Sequence, residues 1–367
     1  MLRHSVPRND RSMKKIAIFL PSLRGGGAQR VAVDVANGLA RRGIPIDIVL
    51  ASGEGVYHQL LDPSISVIVF GVKHVRQAIF PLVSYLKRVQ PATLLAIQRN
   101  AALVAVIASK LTQWKGNVVA RETNSFHKVP GRYSDFRDLI LASLIKFSYR
   151  FVNCVIAPSR GVATELSYLP HVVTIPNPVT IPEVIENLDH ERPFILGVGS
   201  LDKQKRFNDL IYAFGCLQSD YGMTNLDLII LGEGPDKDEL LDFSKKLGVN
   251  DRLKMPGFVN DPFKYMRSAK VFVLASGWEG MPNVLIQAMA CGAPVVATDC
   301  PHGPREILAN GRFGELIPVG DIRAMAVAIY RQLTRGRKPY PPEALAPYDY
   351  NQVIDAYQAV LTGQASP

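Results

Sequence analysis

Apolar residues fall along this chain in short runs, and each run is followed by a segment where they recur every three or four positions. The runs predict strands and the periodic segments predict helices. In the first half the strands are Lys15–Leu20, Ile46–Leu50, Val67–Phe70, Thr93–Ile97, Val118–Arg121 and Val152–Ala157. Helices are expected at Ala28–Arg42, Val75–Val89, Ala101–Leu111 and Phe136–Tyr149. The second half repeats the scheme, with strands Phe194–Gly199, Leu226–Leu231, Leu253–Met255, Val271–Leu274 and Pro294–Ala297 and helices that include Asp236–Leu247 and Asn283–Ala290. Strands apolar on both faces, alternating with helices, argue for parallel sheets covered on each side.

At 367 residues the chain exceeds what one core usually holds, so two domains are expected. Between the halves, Ile175–Glu183 carries three prolines, which can continue neither a helix nor a central strand. It reads as a stiff extended linker. The division is therefore a first domain over residues 1–180, a second over 181–345, and a closing segment 346–367. In that segment Tyr350–Leu361 has the pattern of an amphipathic helix able to pack back across the molecule.

Composition narrows the class. A hydrophobic content of 47% with 20% charged residues is that of a soluble globular protein. The longest apolar run, Ala101–Ala108, is far shorter than the roughly 18 residues of a membrane span. Residues 1–12 are polar and basic without an apolar stretch, and Cys154, Cys216, Cys291 and Cys300 form no CxxC pair. Both features point to a reduced, cytoplasmic protein. Charge is uneven: residues 1–180 hold 23 Lys+Arg against 9 Asp+Glu, net +14, and the remainder carries the −4 that gives the total of +10. Such an excess is either a solvated face or a surface for an anionic partner. Lys73–Arg88 and Arg132–Arg150 mix basic and apolar residues at helical spacing. Each reads as a core helix or as an attachment surface for anionic lipid, at the inner face of the cytoplasmic membrane.

Three turns carry candidate chemistry. Gly25-Gly26-Gly27 follows the first strand and opens a helix, so its backbone can approach a phosphate or simply make a tight turn. It is not GxGxxG, which argues against a dinucleotide site. Gly197-Val-Gly-Ser200 precedes Lys203, Lys205 and Arg206, cations at a helix start where the dipole disfavours them unless an anion binds. The turn from Gly277 to Asn283 places the carboxylate of Glu279 at the carboxyl end of a strand, beside the N-terminus of a helix. That corner suits a ligand with a diphosphate and sugar-like hydroxyls.

KIAIFLPSLRGGGAQRV, GVGSLDKQKRFNDLIYAF, LIILGEGPDKDEL, PGFVNDPFKYM and EGMPNVLIQAMACGAPVVATD together resemble family 4 of the retaining glycosyltransferases, over about Lys14 to Asp321. The resemblance implies the GT-B fold: two doubly wound Rossmann-like domains facing across a cleft, the first for the acceptor and the second for a nucleotide sugar, with a C-terminal helix returning to the N-terminal domain. It implies transfer from a nucleotide-diphosphate sugar, UDP-linked, to a hydroxyl of a glycan or polyprenyl-linked acceptor, with no cofactor, no metal and no nucleic-acid partner. Glu279 would bind hydroxyls of the donor sugar and Lys205 would neutralise the diphosphate. The family's second glutamate falls on Gln287, which can still accept from a ribose hydroxyl but brings no charge. A family arginine is replaced by Ser200, so Lys203 or Arg206 would supply charge. Gly280, Met281, Pro282, Asn283 and Val284 would contact sugar and phosphate, Gly257-Phe258-Val259 the nucleobase, and Gly26 and Gly27 the donor from the opposite domain. On the acceptor side the residues are Asn100, Arg121, Glu122, Thr123 and Asn124. No histidine stands there, and His127 lies too late to align with the family's. Two alternatives remain, a nucleotide-sugar 2-epimerase of the same fold and a non-catalytic lipid- or nucleic-acid-binding protein.

Overall fold

The computed structural model describes residues 15–53, 55–125 and 143–364. Two wholly parallel sheets form its core. The first orders its strands β3-β2-β1-β4-β5-β6-β7 and the second β10-β9-β8-β11-β12-β13. In the first, β1 (Ile16–Leu20) lies between β2 (Ile46–Leu50) and β4 (Thr93–Ile97), and all three are buried throughout. Both faces of β1 are covered: Ala17 and Phe19 join one apolar layer, Ile16, Ile18 and Leu20 the other. The sheet continues through β3 (Ser66–Val69), β5 (Asn117–Arg121), β6 (Cys154–Ala157) and β7 (Val172–Thr174).

The second sheet repeats the plan around β8 (Phe194–Val198), with β9 (Asp227–Leu231) on one side and β11 (Val271–Leu274) on the other. Its edges are β10 (Leu253–Gly257) and, beyond β12 (Val295–Thr298), β13 (Glu315–Ile317). In both sheets the strand order reverses beside the first strand. In an open parallel sheet that switch point is where the loops leaving the strands part and leave a crevice. The loops after β8 and β11 therefore open onto one crevice, and both are turns that the sequence singled out.

Most predicted elements match to within one or two residues. Not foreseen were β7, β13, the short helix Arg160–Glu165 and the longer helix Ile322–Arg335. The two strands are three-residue edges with mixed burial, so neither an apolar run nor an alternation betrays them. The segment Val75–Val89 begins as a 3₁₀ turn, Val75–Ala78, before the α-helix Ile79–Val89. Of the expected helix Phe136–Tyr149, residues 136–142 lie outside the described residues, as do His127 and most of Arg132–Arg150.

The chain passes between the domains twice. The linker after β7 is extended, as its prolines require, but it is no free spacer: Ile175, Asn177 and Pro178 are buried. The closing helix, Tyr350–Thr362, returns to the first domain and lays Val353, Ile354, Tyr357 and Leu361 on its apolar layer. Thr93 Oγ1 donates to the Leu361 carbonyl (2.8 Å), and the Tyr350 hydroxyl donates to the Asp34 carbonyl (2.8 Å).

Candidate functional site: the donor corner at the β8/β11 switch point

The apolar run of β11 ends at Leu274, and Ser276 to Pro282 form the turn into the helix Asn283–Ala290. Backbone bonds fix this turn from both sides. Gly277 N–H donates to the Gln204 carbonyl (2.8 Å) and Gln204 Nε2 to the Trp278 carbonyl (2.8 Å), tying it to the loop after β8. Glu279 N–H donates to the Pro301 carbonyl (2.7 Å) and His302 N–H to the Glu279 carbonyl (2.9 Å), tying it to the loop after β12.

Held this way, Glu279 is only 6% exposed. Its Oε1 accepts from Lys205 Nζ at 2.5 Å and from Ser276 Oγ at 2.7 Å. Burying a carboxylate is costly unless it is paired and hydrogen-bonded, and here both conditions are met. The stem of Lys205 lies along Gly199, where a Cβ would stand 3.2 Å from Lys205 Cε. One ammonium and one carboxylate thus meet beside the first turn of Asn283–Ala290, which contains no acidic residue to compete for an anion.

The glycines of the neighbouring loops serve close packing. A Cβ on Gly232, which sits at φ 139° after β9, would fall 1.8 Å from the Gly199 carbonyl oxygen. Gly232 N–H also donates to the Gly257 carbonyl (2.9 Å), so the loops after β8, β9 and β10 interlock backbone to backbone. Phe258 projects from this rim and is exposed, while Val259 packs against the apolar layer.

The other expected donor residues divide. Gly280, Met281, Pro282, Asn283 and Val284 form the corner itself, and Gln287 is half-buried one turn into the helix. Ser200 is exposed and donates to Asp202 Oδ2 (2.6 Å). The cations near the head of Phe207–Tyr221, read from the sequence as awaiting an anion, have carboxylates of the chain itself nearby. Arg206 is paired with Asp209 in the first turn (2.7 Å), and Lys203, at the exposed rim, faces Glu239 (3.8 Å). These carboxylates relieve the clash with the helix dipole. Gly26 and Gly27 head the helix Gly27–Arg41 after β1, the corresponding turn of the other domain.

The first domain's residues are sorted more sharply. Asn100 is exposed, and Thr123 and Asn124 lie in the loop after β5, half-buried. Arg121 and Glu122, read from the sequence as facing the acceptor, are instead wholly buried, at 1% and 0% exposure. Glu122 pairs with Arg99 (2.9 Å) and accepts from the backbone N–H of Thr123 (2.7 Å) and Asn124 (3.1 Å), so it shapes the loop from behind. The Tyr149 hydroxyl donates to the same carboxylate, and burial beside that charge pushes its pKa well up. The pattern misleads here because the last residue of a buried strand and the first of its loop look alike whichever way they point.

Residues the sequence did not mark join the domains beside the corner. Asn177, in the linker, bonds to the corner itself: its Nδ2 donates to the Met281 carbonyl (3.2 Å) and to Asn283 Oδ1. Glu165 accepts from Ser125 Oγ (2.8 Å) and is paired with His302 (3.0 Å), and the Arg160 N–H donates to Glu306 (2.9 Å). Gly280 lies against the loop after β5 so closely that a Cβ would meet the Thr123 carbonyl oxygen at 2.5 Å. Only the asparagine set between Pro176 and Pro178 offered any sequence signal, a polar side chain on a locked backbone. Among the described residues no cluster of His, Cys, Asp or Glu could hold a metal ion, and no helix is long and apolar enough to cross a membrane.

Comparison with known proteins agrees with this architecture. Residues 25–181 match the model of Glycosyltransferase Family 4, and residues 182–341 that of Glycosyl transferases group 1. The chain is 34% identical over 222 residues to the N-acetylgalactosamine-N,N'-diacetylbacillosaminyl-diphospho-undecaprenol 4-alpha-N-acetylgalactosaminyltransferase of Campylobacter jejuni, a match that spans 58% of this chain and 60% of that protein. It is 25% identical over 321 residues to the lipopolysaccharide core biosynthesis glycosyltransferase LpsE of Rhizobium meliloti, spanning 83% and 85% of the two. Among solved structures, S. aureus TarM, crystallised with UDP and alpha-GlcNAc-glycerol, superposes with a TM-score of 0.78 at 14% identity, covering 95% of this chain and 100% of that one. Two family models in tandem, on two parallel sheets meeting at a common cleft, place this chain among the GT-B glycosyltransferases, a Family 4 domain followed by a group 1 domain.

Proposed function

We propose that this chain transfers a sugar from a UDP-linked donor to an acceptor hydroxyl with retention of anomeric configuration. The observation that carries the reading is the Lys205–Glu279 pair at 2.5 Å, set beside the head of Asn283–Ala290. Donor binding would exchange partners: the diphosphate takes the Lys205 ammonium, and hydroxyls of the sugar donate to Glu279. The acceptor oxygen then attacks the anomeric carbon on the face from which the diphosphate leaves. The new C–O bond forms as the bond to phosphate breaks, and the hydroxyl proton passes to the departing diphosphate. Lys205 and the helix N-terminus stabilise the charge that develops there, with no metal assigned to that task. UDP bound to the TarM fold and the diphospho-undecaprenol acceptor in the name of the C. jejuni relative support the donor and a lipid-linked acceptor.

A peripheral position on an anionic bilayer fits this acceptor. Leu144, Phe147 and Phe151 are exposed on the first domain, with Lys110 over the Phe151 ring (5.3 Å) and Arg150 near that of Phe147 (6.0 Å). Apolar side chains interleaved with cations suit the boundary between headgroups and acyl chains. Salt-sensitive sedimentation with anionic vesicles is expected, and Phe147→Ser with Phe151→Ser should abolish it; no salt-sensitive binding of the wild type to anionic vesicles would refute the attachment.

The donor assignment is tested by thermal shift against UDP-, GDP- and ADP-sugars, because a ligand at 100 times its dissociation constant adds about 2.7 kcal/mol. A shift with the UDP-sugars alone is expected. NMR of the product should show the anomer of the donor. Release of an epimerised sugar without any acceptor would instead favour the epimerase reading.

A further inference from the structure

The donor corner is held from behind by three side chains that come from three different parts of the chain. Arg121, at the end of β5, is the largest wholly buried side chain among the described residues. Its Nε donates to the Tyr357 hydroxyl on the returning helix (2.7 Å), and its Nη2 donates to Asn177 Oδ1 in the linker. Asn177 Nδ2 in turn donates to the Met281 carbonyl (3.2 Å) and to Asn283 Oδ1.

Donor and acceptor counting fixes the sense of this chain. A guanidinium only donates, so Asn177 must turn its oxygen toward Arg121. Its amide nitrogen then faces the corner, with one hydrogen for the Met281 carbonyl and the other for Asn283. Asn283 must therefore turn its oxygen toward Asn177, which leaves its Nδ2 hydrogens directed elsewhere. Asn283 is the first residue of the helix beside Lys205 and Glu279, where N–H donors reinforce the positive end of the dipole. An Asn283 facing the other way would present an acceptor there instead.

We propose that Asn177 is a positioning residue for the donor site, setting both the place of the Met281–Asn283 turn and the polarity of the Asn283 amide, with Arg121 and Tyr357 as its support. This rests on the reading that the corner binds a nucleotide sugar. Asn177 would act on donor affinity, through groups that touch the donor, without itself touching the reacting atoms.

The discriminating variant is Asn177→Asp. It keeps the size of the side chain and offers Arg121 a charged acceptor, so folding is retained. It removes both hydrogens that face the corner, which repels the Met281 carbonyl and turns the Asn283 amide around to donate backwards. Titration of wild type, Asn177→Asp and Asn177→Ala with the UDP-sugar that stabilises the wild type is expected to give dissociation constants about tenfold weaker in both variants, one or two neutral hydrogen bonds' worth. KM for the donor should rise in step while kcat changes much less, and urea midpoints should fall for Asn177→Ala but not for Asn177→Asp. Tyr357→Phe should weaken donor binding in the wild type and add nothing to Asn177→Ala, because the support acts only through Asn177. Donor binding by Asn177→Asp equal to that of the wild type would overturn the inference, as would losses that track urea midpoints across the variants. A wild type that binds no nucleotide sugar would instead overturn the reading of the corner, leaving the two failures distinct.

Discussion

Glu279 and Lys205 neutralise each other before any ligand arrives, so substituting either has two consequences. Lys205→Ala removes the cation expected at the diphosphate, and transfer should fall at least about 100-fold, the usual cost of losing such a stabilising group. Glu279→Gln keeps hydrogen-bonding capacity but leaves the Lys205 charge without its partner, so it should lower the urea midpoint as well as lose turnover to a similar degree. Purified variants assayed with donor and acceptor decide this, and near-normal turnover in either would refute the assignment. Glu122 behaves differently because it is part of the scaffold. Glu122→Ala leaves Arg99 without the carboxylate it is paired with, and should cost roughly 3–5 kcal/mol in urea unfolding. Donor titration of the folded fraction should be unchanged. The sequence made Glu279 legible because it stands in a glycine-bounded turn after an apolar run, whereas Lys205 was one of three neighbouring cations, with Lys203 and Arg206, and only the family resemblance singled it out. The sequence could not separate Arg121 and Glu122 from ligand-facing residues, since their burial depends on Tyr357, Asn177 and Arg99, partners whose nearness is a property of the fold.

At the scale of elements, runs such as Ile46–Leu50, Thr93–Ile97 and Val271–Leu274 were read to the residue because central strands are apolar on both faces. Edges such as β13 were not, since half their surface faces water. Tight loops give a measurable counterpart. Gly280 closes the gap between the donor turn and the acceptor loop, and Gly280→Ala would drive a methyl group into the Thr123 backbone. Backbone cannot rotate aside as a side chain can, so the loops must part. Donor and acceptor KM should both rise several-fold with little change in thermal midpoint, since the strain is relieved by moving one domain against the other. Gly232→Ala has no such escape, because its contact, the Gly199 carbonyl, lies within the same domain. That variant is expected to be insoluble or to melt well below the wild type in a thermal scan.

For the whole molecule, the buried thiols make stability depend on pH. Burial raises Cys154 and Cys291 from 9 to about 11. In the unfolded chain they ionise near 9, so between those limits the unfolded state holds fewer protons than the folded one. The contribution of these thiols to stability is present in full below pH 9 and is lost as pH rises toward 11. Urea midpoints should decline from pH 8 to pH 10, and less steeply in Cys154→Ala. The two-domain plan and its linker with three prolines were visible in composition and pattern, as was the returning helix. The use of that helix to brace Arg121 was not. One result of the return concerns how such a chain is made. The apolar layer beside β1 and the helix Gly27–Arg41 is completed by Val353, Ile354, Tyr357 and Leu361, which leave the ribosome only after the entire second domain. The first domain must therefore wait through nearly half of synthesis with a greasy stripe uncovered, and a ribosome stalled before residue 350 would release a chain fit for chaperones or proteases rather than half an enzyme.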